Sequence, residues 1–288
     1  MLSVLKHELK SYYTGLTGYV FGAFLLLFCG IFTMIHNLTS MFVEFERALN
    51  DMTLVFIIAI PILTMRVIAA ERRNKTDQLL YALPLSMTGV VTGKYLAMLV
   101  TLLLPTAVMG LYPLLLSAYG PVSLTSAFNA LLGFFLLGAA LMSIGLFISS
   151  ITDSQEVAAG VCFAAMLVNY FLAMLAGYLP TEAIASYLTF AVLLLGAVGL
   201  FWYMTKNKFV SLIACTVTQA ALALWYVLDT AFFKGAVQKL VSELSLFQRF
   251  YVFVNGICDL TGVVYFISVI VFFVFLTVQS MEKRRWTA

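Results

Sequence analysis

The chain has 288 residues, of which 63% are hydrophobic and only 10% charged, with a formal net charge of +3 and a mean hydropathy of +1.04. A water-soluble domain carries about a quarter of its residues as charges, so a soluble enzyme or binding fold is excluded, and so small a net charge argues against a nucleic-acid partner. What remains is an all-α, polytopic integral membrane protein, expected to form a single transmembrane domain over residues 1–288.

In chain order, Leu2, Leu5, Leu9 and Tyr12 recur at helical spacing, with Lys6, Glu8 and Lys10 turned away. This predicts an interfacial helix over residues 1–14, lying in the cytoplasmic headgroup layer and contacting membrane lipids. The apolar run 16–35 is too long for a signal-peptide core and no small-x-small cleavage site follows it. Phe28 before Cys29 also makes a poor lipoprotein box, so the run is expected to be an uncleaved first span. A spanning helix needs about 20 apolar residues, and eight stretches qualify: 16–35, 52–70, 95–118, 126–150, 157–178, 183–204, 209–228 and 262–280. An even number places both termini on one side. Lys6, Lys10, Arg66, Arg72, Arg73, Lys75, Lys94, Lys206, Lys208, Lys283, Arg284 and Arg285 gather on that side, against Arg47, Lys234, Lys239 and Arg249 on the other. The excess of positive charge marks the side holding both termini as cytoplasmic. Were the hairpin 183–228 not to cross, six spans would remain with the same orientation.

Residues 71–94 form the longest polar island. Within it Thr76 to Leu83 fits a short helix with Leu79, Leu80 and Leu83 on one side, and Pro84 cannot continue it. A helix so short needs a surface to lean on, so this segment is read as a docking element for a soluble cytoplasmic partner. Gly89, Gly93 and Lys94 imitate a phosphate loop, but three residues separate the glycines instead of four, Tyr95 replaces the Ser or Thr that holds magnesium, and no buried strand precedes them. No nucleotide site is expected in this chain.

Asn169 and Gln219 lie near the middles of the fifth and seventh spans and read as helix–helix hydrogen bonds, or as polar points on a translocation path. Arg66 is placed to snorkel to lipid phosphates, Pro61 to kink the second span, and Asp153 with Glu156 to cap the start of the fifth. Close helix contacts are expected at Gly18 with Gly22, Ala139 with Ser143 and Gly145 with Ser149. No span carries an unpaired acid near its centre and no inverted repeat is visible, which argues against an ion-coupled carrier. Cys29, Cys162, Cys215 and Cys258 have no ligand-like spacing, and the first three read as small buried hydrophobes. His7 and His36 fall on opposite sides of the membrane, so no metal or catalytic site is expected. Before the last span, Leu240, Leu244, Phe247, Tyr251 and Val254 define an external amphipathic or re-entrant segment over residues 231–260.

The run from Pro61 through Arg66, Glu71, Arg72, Arg73, Lys75, Thr76, Leu79, Leu80, Leu83 and Pro84 to Ser86, followed by Gly93-Lys94-Tyr95-Leu96-Ala97, resembles the signature region of type 2 ABC exporter permeases. It is most similar to the gliding-motility and multi-copper-accessory branch. The amino-terminal Lys6–Tyr13 stretch, Gly145 to Gln155, and Asn255 to Trp286 agree with that branch. Asn74 and Lys75 depart from it, and residues 180–235 lie outside the resemblance.

The resemblance implies a six-helix core plus an extra hairpin, in a permease subunit without a motor of its own. Two such chains, identical or paralogous, would pair in a bacterial cytoplasmic membrane. Two cytoplasmic ABC ATPase subunits, carrying the ATP and Mg, would dock on the 71–93 loop and drive export of an amphipathic or lipid-like substrate. Glu71, Arg72, Arg73, Thr76, Leu79, Leu80, Leu83 and Pro84 would form the coupling interface. Within it Glu71 and Arg72 are expected to matter less than the leucines, since exposed ion pairs contribute little. The alternative from another class is a non-transporting scaffold or receptor for a cytoplasmic partner.

Overall fold

The computed structural model describes residues 1–40, 44–75 and 86–287. Every regular element among them is a helix. Helix α1 (Leu2–Thr14) leads into α2 (Thr17–Thr33), which ends in a π-helical turn, Met34–Thr39. There follow α3 (Phe45–Thr64), the short α4 (Ala69–Arg73), α5 (Met87–Met109), α6 (Leu111–Ser117), α7 (Leu124–Ile151) and α8 (Gln155–Ala176). The chain continues with α9 (Ala183–Thr205), α10 (Lys208–Leu228), α11 (Thr230–Phe233), α12 (Ala236–Glu243), α13 (Leu246–Val254) and α14 (Leu260–Thr287). Among the described residues eight helical stretches are long and apolar enough to cross a bilayer, each overlapping one expected from the sequence. The third of these is α5 and α6 together, divided at Gly110. The protein is an all-α polytopic membrane protein.

The chain forms two compact units, residues 1–168 with 246–288, and residues 169–245. The first is organised around α7, which packs against α3, α5, α13 and α14. In lipid there is no hydrophobic gain from pairing apolar helices, so close backbone approach has to supply the attraction. Glycines on α7 permit it. A Cβ on Gly145 would lie 2.5 Å from Thr64 Oγ1, one on Gly138 would lie 2.7 Å from Leu102, and one on Gly133 would lie 2.7 Å from Phe253. Between these contacts Phe56 stacks on Phe134 at 4.3 Å. Gly145→Val is therefore expected to force α3 and α7 apart and cost about 1–3 kcal/mol, read as a lowered melting temperature in detergent. Gly22→Ala is the matched control, because nothing lies within 4 Å of that position. The expected Gly18/Gly22 contact is thus corrected: Gly18 meets Tyr13 of the preceding helix, and Gly22 meets nothing.

Two further expectations need correcting. The segment before the last span does not follow one continuous apolar stripe. A break at Ser245 restarts the helix, and α13 buries Leu246, Phe247, Phe250 and Phe253, while Leu244 and Tyr251 stay exposed. Cys29 and Cys162 are buried, but Cys215 is only half-buried, because α10 has few neighbours.

The second unit is an α9–α10 hairpin with α11 and α12. An aromatic cluster holds it, with Phe233 meeting Tyr187, Phe190, Trp225 and Tyr226. Gln219 Nε2 donates to the Ala191 carbonyl across the hairpin at 3.0 Å.

Candidate functional site

The site is built where α3 stops. Thr64 spends its hydroxyl on the Ile60 carbonyl, the helix ends there, and residues 65–68 turn the chain into α4. A helix start leaves backbone N–H groups without intrahelical acceptors. Here Ser149 of α7 accepts from Ile68 N at 3.2 Å and from Ala69 N at 3.1 Å. The favour is returned at the other end. Arg72 of α4 donates through Nη1 to the Thr152 carbonyl at 2.9 Å and through Nη2 to the Ser150 carbonyl, covering the last acceptors of α7 with a positive charge where the helix dipole is negative. Its side chain is only 5% exposed. Each helix thus caps the other.

The residue just before Arg72 on α4 is Glu71. Its Oε1 accepts from Lys94 Nζ at 2.5 Å, and Glu8 Oε1 on α1 accepts from the same ammonium at 2.6 Å. The Val67 carbonyl takes the third proton at 3.2 Å. An ammonium has three donors, and all three are satisfied, which is what allows Lys94 to be 1% exposed. Position 94 is brought here by α5, whose start is capped by Ser86 Oγ accepting from Gly89 N at 3.3 Å. Tyr12, one turn after Glu8, is buried beside this cluster; burial, with Glu8 and Glu71 adding to it, raises its phenol above the ordinary value.

A second layer is exposed. Arg73 Nη1 meets Glu156 Oε1 at 2.7 Å. Arg284, near the end of α14, meets Asp153 Oδ1 at 2.8 Å and the Ile151 carbonyl at 3.0 Å. The hydrogen bond from Arg284 holds the Asp153 carboxyl below its usual value, with the Arg284 and Arg72 charges adding to it. The contribution of that pair is present above the usual carboxylate pKa and is lost as pH falls through the lowered one.

Of the residues expected at the interface, Glu71, Arg72 and Arg73 are brought together here, on the short helix that ends just before residue 75. Thr76, Leu79, Leu80, Leu83 and Pro84 lie outside the described residues. Asn169 and Gln219 belong to the second unit. Asn169 Nδ2 donates to the Leu244 carbonyl at 3.3 Å, and Gln219 bridges α9 and α10.

The expectation that Glu71 and Arg72 form weak exposed pairs is corrected. Arg72 is buried, and Glu71 pairs with a buried lysine, so both belong to the packing. Glu8 was expected to face away and instead faces inward, because it shares a helical face with Tyr12 and a charge partner outweighs the apolar pattern. Ser154, not Asp153, caps α8, accepting from Val157 N at 3.3 Å. Lys94 had been read as a flanking charge and as part of a false phosphate loop, just outside a span expected from residue 95. The helix starts at Met87 instead, which places Lys94 two turns inside it, where an ionised group calls for a partner.

Comparison with known proteins bears on this arrangement. The family model described as "ABC-2 family transporter protein" matches residues 44–198, more than half of the chain and including all of the 71–94 island. It also reaches into the hairpin that the sequence resemblance left out. No curated protein matches, and neither does any solved structure. The chain therefore belongs to the ABC-2 transporter family: it is the membrane permease of an ABC transporter, the transmembrane component that works with an ABC ATPase and is not itself the catalyst.

Proposed function

We propose that this permease exports an amphipathic or lipid-like substrate from the cytoplasm across a bacterial plasma membrane. It does so as one of two paired permease chains, with an ABC ATPase docked under the 71–93 loop of each. The observation that carries this reading is the latch at the loop's two ends. Residue 75 is held through Glu71 and Arg72, and the returning strand of chain is held through Lys94, so a push on the loop is delivered to α1, α5 and α7 together. A loop rooted so firmly transmits force, whereas a freely hinged loop absorbs it. The leucines at positions 79, 80 and 83 supply a face for a helix-in-groove contact, and the lysine and arginine distribution favours placing this end in the cytoplasm.

The test is co-purification. Leu79→Asp or Leu83→Asp is expected to reduce recovery of the ATPase with the tagged permease at least tenfold, since a charge buried in an apolar contact costs well over 1.4 kcal/mol. Amounts of inserted permease should be unchanged. Undiminished recovery of the ATPase would sink the docking role. The scaffold reading predicts binding without turnover, so vesicles holding both subunits decide between them: ATP-dependent accumulation of a lipid-like probe supports export.

A further inference from the structure

Between α2 and α3 runs an apolar groove of about 380 Å³, walled by Val20, Phe21, Phe24, Ile62 and Leu63. It is open on its outer side, where Val20 is 64% and Ile62 50% exposed. From Leu16 to Phe24 it follows α2 for about 12 Å, most of one leaflet of a hydrocarbon core about 30 Å thick. At its Gly15–Thr17 end stands Arg66, whose Nη1 donates to Thr17 Oγ1 at 3.3 Å. Among the described residues no carboxylate lies within ion-pair distance of that guanidinium. There the groove meets a second, polar cleft of about 370 Å³, which shares Gly15, Thr17 and Arg66 with it and is lined further by His7, Ser11 and Asn74. Glu8 and Glu71 also line this cleft, but their charge is turned to Lys94.

We infer that this groove is a binding site for a bilayer phospholipid, with one acyl chain between α2 and α3 and the phosphate on Arg66 and Thr17. The observations fit that occupant in sequence. The walls are apolar and open sideways, which suits a chain arriving from lipid and not a solute arriving from water. The cation sits at the end where α2 begins, which is the level of the headgroups, and a phosphate there supplies the bidentate partner that a guanidinium favours. The polar cleft beyond offers hydroxyl, amide and imidazole groups to the rest of the headgroup. The assignment rests on Arg66, Thr17 and the groove walls and not on the leucines at 79, 80 and 83, and its occupancy is measurable with no ATPase present.

The test is native mass spectrometry of the permease in mild detergent, stripped of lipid and then given phosphatidylglycerol or a diacylglycerol of the same chains. One phosphatidylglycerol should be retained about fivefold more than the diacylglycerol, the discrimination one surface cation gives. Arg66→Gln should remove that difference and Arg66→Lys should keep part of it. Val20→Trp, at an exposed position, should fill the groove and lower retention of both lipids without changing the melting temperature. Equal retention by wild type and Arg66→Gln overturns the assignment. So does efficient disulfide dimerisation through Val20→Cys in a chain lacking its native cysteines, which would show a second copy occupying the groove.

Discussion

Lys94→Met is expected to lower the stability of the permease by about 3–5 kcal/mol, because it leaves two carboxylates without the charge that holds them together in a poorly solvated place. The side chains of Glu8 and Glu71 are 14% and 23% exposed, so water cannot replace the ammonium. Two like charges then repel across the space that Lys94 vacated. The expected result is detachment of α1 from α5, and loss of the fixed root of the 71–94 loop. Thermal or denaturant unfolding in detergent measures the loss of stability, proteolysis within α1 the detachment, and proteolysis within the 71–94 loop the loss of its root. The neutral triple variant, Glu8→Gln with Glu71→Gln and Lys94→Met, sharpens the test. Replacing a whole buried charge cluster by uncharged groups is often close to neutral, so the triple variant should recover most of the stability lost in Lys94→Met. Because Leu79, Leu80 and Leu83 are intact in it, it should also still bind the ATPase. A single variant as stable as the wild type would show that the cluster is not structural.

Arg72→Ala and Arg73→Ala separate two adjacent arginines by burial alone. Arg72 covers carbonyls at the end of α7, and its removal takes the guanidinium from the Thr152 carbonyl and leaves the Ser150 carbonyl only the Ser280 hydroxyl at 3.3 Å. The cost is about 1.5–3 kcal/mol, the range for hydrogen bonds to a charged group. Arg73 and Glu156 are both largely exposed, and loss of such a pair should give no measurable shift in unfolding. Arg72→Lys should recover only part of that loss, since it restores the charge but not the planar fork by which the guanidinium reaches both carbonyls. Equal effects at 72 and 73 would show that the mutual capping of α4 and α7 contributes little.

Which parts of this molecule were legible in advance follows from how far apart the determining residues lie. The eight apolar stretches and the polar island were readable because each depends on its own composition: the transfer free energy of a span is a sum over about 20 neighbouring residues. The contact at Gly145 and Ser149 was visible as a small-residue spacing. Its partners, Thr64 and the first N–H groups of α4, were not, since spacing on one helix says nothing about what faces it. The stripe 240–254 failed for a related reason. Its period was extended through Ser245, where the helix breaks and the phase resets.

Alone, then, the amino-acid sequence determined the class of protein and the number of candidate crossings. Only the tertiary structure decided which charges are packing groups and which are surface. Glu8, Glu71 and Lys94 are 86 residues apart at their extremes, and Arg72 and Thr152 are 80 apart. A charge can be buried only where its counter-charge arrives, and that arrival is set by how α1, α4, α5 and α7 pack, a property held by no single stretch of the chain.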